Sequence, residues 1–205
     1  MPADPAAETT ESVKTAARAC TVCTGVLPLG PRPVLRGNAS ARLLIVGQAP
    51  GTKVHASGIP WDDASGARLR QWLGLPPDLF YDEDCVAIVP MGLCYPGANP
   101  KGGDNPPRPD CAPLWQARMR AALPAIQLTL LIGQYAQHWW LGNRRQPTMT
   151  ATVAHWLTYG PAFFPLPHPS WRNTAWLKKN PWFEELALPA LRQQVRGAIH
   201  SVMTS

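Results

Sequence analysis

Residues 41–51 read ARLLIVGQAPG. An apolar run of this length, broken by a glycine and then by Pro50 and Gly51, has the form of a strand buried on both faces that ends in a tight loop. Working outward, the same pattern recurs. Residues 84–92 (DCVAIVPMG) and 126–133 (IQLTLLIG) give two further strands, and 162–166 a short fourth one. Pro90 should end regular pairing in the second strand, because proline has no N–H to donate. Helical stretches fall between and after them, at 65–73, 111–123, 134–141 and 180–200. The last contains Pro189 and should bend there. Strands that alternate with helices imply a three-layer α/β sandwich around a mostly parallel four-stranded sheet with right-handed crossovers. In such sheets ligands bind at the carboxyl ends of the strands. The loops at Gln48, Met91, Gln134 and His168 all follow strands and should meet in one cleft.

The chain has 205 residues, enough for one sizeable domain, expected over 19–205. Residues 1–18 read as a flexible tail, polar and rich in Ala and Thr. They lack a signal peptide's basic patch and apolar stretch. No apolar run approaches the roughly 18 residues of a membrane span. A cytoplasmic monomer with no membrane partner is the expectation. The formal charge of +6 suits a polyanion such as nucleic acid. Twenty-four prolines imply stiff loops, which carry function on α/β scaffolds.

Five cysteines, Cys20, Cys23, Cys85, Cys94 and Cys111, are an odd number for a disulfide framework. Cys20 and Cys23 form a C-x2-C pair. Cys94 and Cys111 flank a loop of Pro, Gly and Asn. Cys85, inside a strand, reads as a small buried hydrophobe. Three readings of the other four stand side by side: an iron–sulfur cluster, a zinc site, or free thiols.

Two motifs carry most of the chemical information. Gly47-Gln48-Ala49-Pro50-Gly51 follows the first strand, where glycines let backbone amides approach a ligand. His168-Pro169-Ser170 follows the fourth strand, and Pro167 and Pro169 fix the histidine's direction. In this order and at these places the pair resembles the uracil-DNA glycosylase superfamily, with its Gly-x-x-Pro loop after the first strand and its His-Pro-Ser loop after the last. The resemblance runs from about Cys20 to Arg172. The iron–sulfur branches of bacteria and archaea fit best. There the resemblance implies a structural [4Fe–4S] cluster on Cys20, Cys23, Cys94 and Cys111.

The resemblance also assigns roles around Gly58-Ile-Pro-Trp-Asp-Asp-Ala-Ser-Gly66. Trp61 falls where the family has a Phe that stacks on the flipped base; the alternative is a core tryptophan. Asp63-Ala64-Ser65-Gly66 matches the broad-specificity iron–sulfur branch, whose Asp is the proposed catalytic carboxylate. The spacing from the aromatic is one residue short, which leaves Asp62 as a competitor. His168 would donate to the base, while Gly47–Gly51, His55, Asn99 and Ser170 are candidates for substrate contact. Trp171 and Arg172 are candidates for contact with the duplex. Two departures stand out. Enzymes strict for uracil carry Asp or Glu in the first loop, or Asn at the end of the second strand. Here Gln48, Ala49 and Pro90 hold those places. The implied activity is hydrolysis of the bond between sugar and uracil, or a related damaged base, in DNA at the start of base excision repair, in a nucleoid-associated protein. No lysine occurs within the three motifs, so no strand-cutting lyase step is expected. A non-catalytic module binding DNA or a damaged base, and a hydrolase of free nucleotides, are the alternatives.

Overall fold

The computed structural model describes residues 8–200. Its elements, in order, are α1 (Thr10–Arg18), β1 (Leu43–Val46), α2 (Thr52–Ser57), α3 (Ala64–Leu73), α4 (Pro77–Phe80), β2 (Val86–Ile88), α5 (Cys111–Ala121), β3 (Leu128–Ile132), α6 (Gly133–Leu141), α7 (Met149–Ala154), β4 (Phe163–Leu166), α8 (Thr174–Lys179) and α9 (Leu188–His200). The four strands form one sheet in the order β2-β1-β3-β4, and every pairing is parallel. The expected α/β architecture is therefore the observed one.

Alternation along β1 builds both layers of core. Leu43 and Ile45 face one side, joining Leu69, Leu73, Phe164, Phe183 and Leu191. Leu44 and Val46 face the other, joining Val13, Trp115, Met119 and Leu131. With both faces covered, apolar residues are stable at every position of the strand, which is why β1 reads as a continuous run. Pro165 is accommodated because β4 is an edge strand. The other edge, β2, is covered by an antiparallel bridge from Arg36 to Ile88. Arg36 and Ile88 exchange backbone hydrogen bonds of 3.0 and 2.9 Å.

Three expectations need correction. Residues 10–18 are helix, not flexible tail; residues 1–7 of that stretch lie outside the described part of the chain. Thr9 caps α1 by accepting from the Ser12 amide, and Val13 and Ala17 are 0 % exposed. The apolar stripe is only two small side chains wide, so composition hid it. Second, the tight loop expected after β1 leads directly into a short helix that the sequence reading did not place, α2, closed by Gly58 in a left-handed conformation. Third, the helix expected over 180–200 begins as a π-helical turn, Phe183–Ala187, that runs into α9. Pro189 sits just beyond that junction. Its missing N–H removes an i→i−4 bond next to the wider turn.

Candidate active site

The loops after β1, β2 and β4 open into a cleft of about 520 Å³. That volume lies within the range of small-molecule sites. The cleft brings together Gly47, Gln48, Ala49, Pro50, Gly51, Trp61, Asp63, Pro90, His168, Ser170, Trp171 and Arg172. The topology explains the convergence: parallel strands put all their carboxyl ends on one rim.

One wall is the first loop and the start of α3. Backbone bonds from Met91 N–H to Gly47 O and from Gly92 N–H to Gln48 O, both 2.9 Å, tie this loop to the chain after β2. Asp63 is the N-cap of α3, and its Oδ1 accepts from the Gly66 amide at 2.7 Å. One carboxylate oxygen is thus committed to the helix, which fixes the direction of the group. Trp61 has φ 60°, the left-handed region that bulky residues avoid. Its carbonyl accepts from Tyr81 Oη at 3.2 Å and from Arg70 Nη1 at 3.4 Å. Such strain costs about 1–3 kcal/mol and persists where surrounding contacts impose it. Two glycines make room. A Cβ on Gly66 would lie 1.8 Å from Trp61 O, and one on Gly47 would lie 2.8 Å from the indole Cζ2. The indole packs against the core and also lines the cleft, so both readings of this residue hold together.

The His168 ring faces Trp61, with centroids 5.6 Å apart and planes at 35°. Asn173 Nδ2 donates to the His168 carbonyl at 2.6 Å and holds the loop in place. Burial lowers the imidazole pKa below its ordinary range, and the nearby negative charge of Asp63 works against that. A neutral imidazole at pH 7 has one N–H to donate. Ser170 caps the 3-10 turn Trp171–Asn173 by accepting from Arg172 N–H at 3.2 Å. Trp171 is 72 % exposed, and the Arg172 guanidinium lies 5.6 Å from its ring centroid.

Three sequence expectations change, those for Asp62, His55 and Asn99, while Gln48 keeps its place in the cleft lining. Asp62 is exposed and does not line the cleft. Asp63 holds the cap position, so its neighbour points elsewhere. His55 sits on α2 outside the cleft, with its ring 6.1 Å from Tyr95. Asn99 closes a turn of the 94–111 loop: its amide donates to Gly103 O at 2.8 Å and its Oδ1 accepts from Lys101 N–H at 2.9 Å. The side chain of Gln48 donates to Asn105 O at 3.2 Å and clasps that loop.

Among the cleft residues that escaped the sequence reading, one is ionisable. Asp104 enters from the far side, on the 94–111 loop. Burial raises its carboxyl pKa above the ordinary range; Arg172 opposes this and Asp63 adds to it. Nothing around Asp104 in the sequence marks it, because a lone acid among Gly, Asn and Pro looks like solvated loop.

A second, smaller pocket is shared by Cys20, Cys23, Cys94 and Cys111. They form no disulfide, and among the described residues no group of three or more His, Cys, Asp or Glu is arranged to hold a metal ion. Burial pushes Cys111 up to about 11, the Leu93 amide opposes this, and the other three cysteines add to it. Cys94 is likewise pushed up to about 11 by burial, with Cys23 and Cys20 adding to it and the Arg32 amide opposing. Leu93 N–H reaches Cys111 Sγ at 3.2 Å. Cys85 is buried apart from them, as expected of a small hydrophobe.

No helix among the described residues is long and apolar enough to cross a membrane. The family model described as the uracil DNA glycosylase superfamily matches residues 35–192. That span holds the whole sheet and every cleft residue named above, and the chain belongs to the uracil DNA glycosylase superfamily.

Proposed function

We propose that this protein is a monofunctional DNA glycosylase that hydrolyses the bond between deoxyribose and uracil, or a related deaminated or damaged base, and so initiates base excision repair. Membership in the superfamily supports glycosylase chemistry on DNA. The observation that carries the finer reading is the meeting of Trp61, Asp63 and His168 in one cleft beside the first-loop backbone.

Each group has a physical task. The target nucleotide must leave the duplex, because its glycosidic bond cannot be reached inside the stack. Trp61 offers a flat ring for the flipped base, and stacking of this kind is worth about 1–3 kcal/mol. As the bond breaks, positive charge develops on the sugar and negative charge on the base. Asp63, oriented by its helix cap, supplies fixed negative charge to the sugar. His168, neutral and directed by Asn173, donates its N–H to the base carbonyl oxygen as that oxygen gains charge. Arg172 and Trp171 sit at the mouth, where a cation meets phosphate and an exposed ring can enter the gap left in the duplex.

The cysteine pocket fits a structural [4Fe–4S] cluster in its donor set: four thiols around one pocket, with a backbone N–H directed at a sulfur. Cys20, Cys23, Cys94 and Cys111 would hold it, and the cluster would tie the turn after α1 and the 94–111 loop to α5. Elemental analysis of protein purified without oxygen is expected to find iron, and iron-free protein refutes the cluster.

The activity is tested by base release from oligonucleotides carrying uracil, hypoxanthine, xanthine or ethenocytosine. Release of at least one base, leaving an abasic site and an uncut strand, is the expected result. Binding of these strands without release of any base would support the non-catalytic reading, which the absence of a carboxylate at Gln48 and Ala49 favours. Release from free nucleotides alone would support the nucleotide hydrolase.

A further inference from the structure

The 94–111 loop is built to deliver one side chain. Between Gly97 and Asn105 it folds back as a small hairpin, with an antiparallel bridge from Ala98 to Asp104. Asn105 N–H donates to Gly97 O at 2.8 Å, and Asn105 Nδ2 reaches Pro96 O at 3.2 Å. The Gln48 side chain clasps the base of this hairpin. Gly102 and Gly103 take φ of 94° and 87° at its tip, where Arg172 passes so close that a Cβ on Gly103 would lie 2.4 Å from Nη1. The product of all this is the position of Asp104. Its Oδ2 lies 3.4 Å from where a Cβ on Gly51 would be, so the carboxyl faces the first loop across the cleft.

The cleft therefore holds two carboxylates on different walls. Asp63 has one oxygen committed to the Gly66 amide. Asp104 is set by the hairpin and by the charge of Arg172. Hydrolysis needs two different things from an acid: standing negative charge near the sugar, and a base that takes a proton from water. A capped carboxylate whose direction is fixed suits the first. For the second, a carboxyl whose pKa is lifted toward neutrality is the better proton acceptor.

We propose that Asp104 is the base that activates the attacking water, a residue role that rests on the glycosylase reading above and completes it. In the step, the water oxygen forms a bond to C1′ while the C1′–N bond breaks. The bonding pair leaves with the base as an anion, whose carbonyl oxygen accepts a hydrogen bond from the His168 N–H and which takes its proton from solvent after release. The proton lost by water passes to the Asp104 carboxylate and then to solvent.

The experiment compares Asp104→Ala with the unaltered protein in single-turnover base release, with and without sodium azide. Azide attacks C1′ without losing a proton, so it bypasses a missing base. The variant is expected to release base about 10²-fold more slowly, to regain part of that rate with azide, and to leave an azido sugar detectable by mass spectrometry. DNA affinity should not weaken. Asp104→Asn keeps the side chain's shape and covers the case in which the alanine variant does not fold; it should be as slow. Full-speed release by Asp104→Asn overturns the proposal. So does a slow alanine variant that azide does not rescue, since that is the mark of a structural role. Unaltered protein that releases no base from any of the four oligonucleotides refutes the glycosylase reading itself, and this role with it.

Discussion

The two walls of the cleft reach the same end by opposite means. The first-loop wall is held by short-range structure: the β1 carboxyl end, a helix cap at Asp63, and a strained Trp61 wedged between two glycines. The opposite wall is a loop of Gly, Asn and Pro, held by a small hairpin, one glutamine clasp and the cysteine pocket at its ends. The first is rigid because its parts belong to the fold. The second is positioned by ties that lie outside the sheet. Groups needing a fixed direction are on the first wall, and the carboxylate proposed to exchange a proton is on the second.

The largest expected effects concern Asp63 on the first wall and His168 on the loop after β4. Asp63→Asn and His168→Ala should each slow base release by about 10²-fold or more. Asn caps helices as well as Asp does, so thermal stability of Asp63→Asn should stay near that of the parent. A slow enzyme with unchanged melting temperature separates chemistry from folding. Normal turnover would remove Asp63 from the mechanism, and normal turnover by Asp62→Asn is expected beside it because Asp62 lies outside the cleft.

Next come two glycines of the first wall, whose added Cβ would press on different walls: Gly66 on Trp61 within the first, Gly51 on Asp104 of the second. Gly66→Ala forces a Cβ to within 1.8 Å of the Trp61 carbonyl. Overpacking of this kind costs about 1–3 kcal/mol or more, readable as a shift in the urea midpoint. Gly51→Ala meets only the Asp104 carboxylate, at ordinary contact distance, and its midpoint should barely move. Equal losses in the two variants would erase the distinction between the walls.

A smaller effect concerns DNA. Arg172→Ala should lower the slope of log affinity against log salt by about 0.9, one phosphate contact's worth. An unchanged slope would mean that Arg172 serves the loop and not the DNA.

The smallest effect is in pH. Burial lowers the His168 pKa, with Asp63 opposing. The unfolded chain then binds this proton more readily than the folded one. The histidine's contribution should therefore make stability rise with pH between the lowered folded value and about 6.5, and leave it flat above. Denaturation of the parent and of His168→Ala across that window should diverge at the acid end, where the parent loses stability and the variant does not.

Much of the fold was legible because β1 and β2, and β3 apart from Thr129, are apolar along their length, and short apolar runs bounded by Gly or Pro fit strands buried on both faces. The rigid wall was legible for a related reason: glycine, proline and a capping aspartate are local signals that announce a turn in place. α1 was not legible, since its buried face carries only two apolar residues, Val13 and Ala17, beside Thr10 and Lys14. Asp104 was not legible either. Its importance comes from Arg172, Gly51 and Asp63, all distant in sequence, and no local pattern encodes a meeting of that kind. His55 and Asn99 failed in the other direction, because sequence proximity to a motif says nothing about which way a side chain points.

The packing around Trp61 also constrains the protein's history. Gly66 is barred by the Trp61 main chain, so no exchange of the indole would free it. Gly47 is barred only by the indole itself. A lineage that replaced Trp61 with a smaller ring would therefore gain freedom at Gly47 and none at Gly66. Once Gly47 had acquired a side chain, the return to tryptophan would be blocked. The order of substitutions is thus set by sterics: the aromatic changes first, the first-loop glycine follows, and the step back closes behind them.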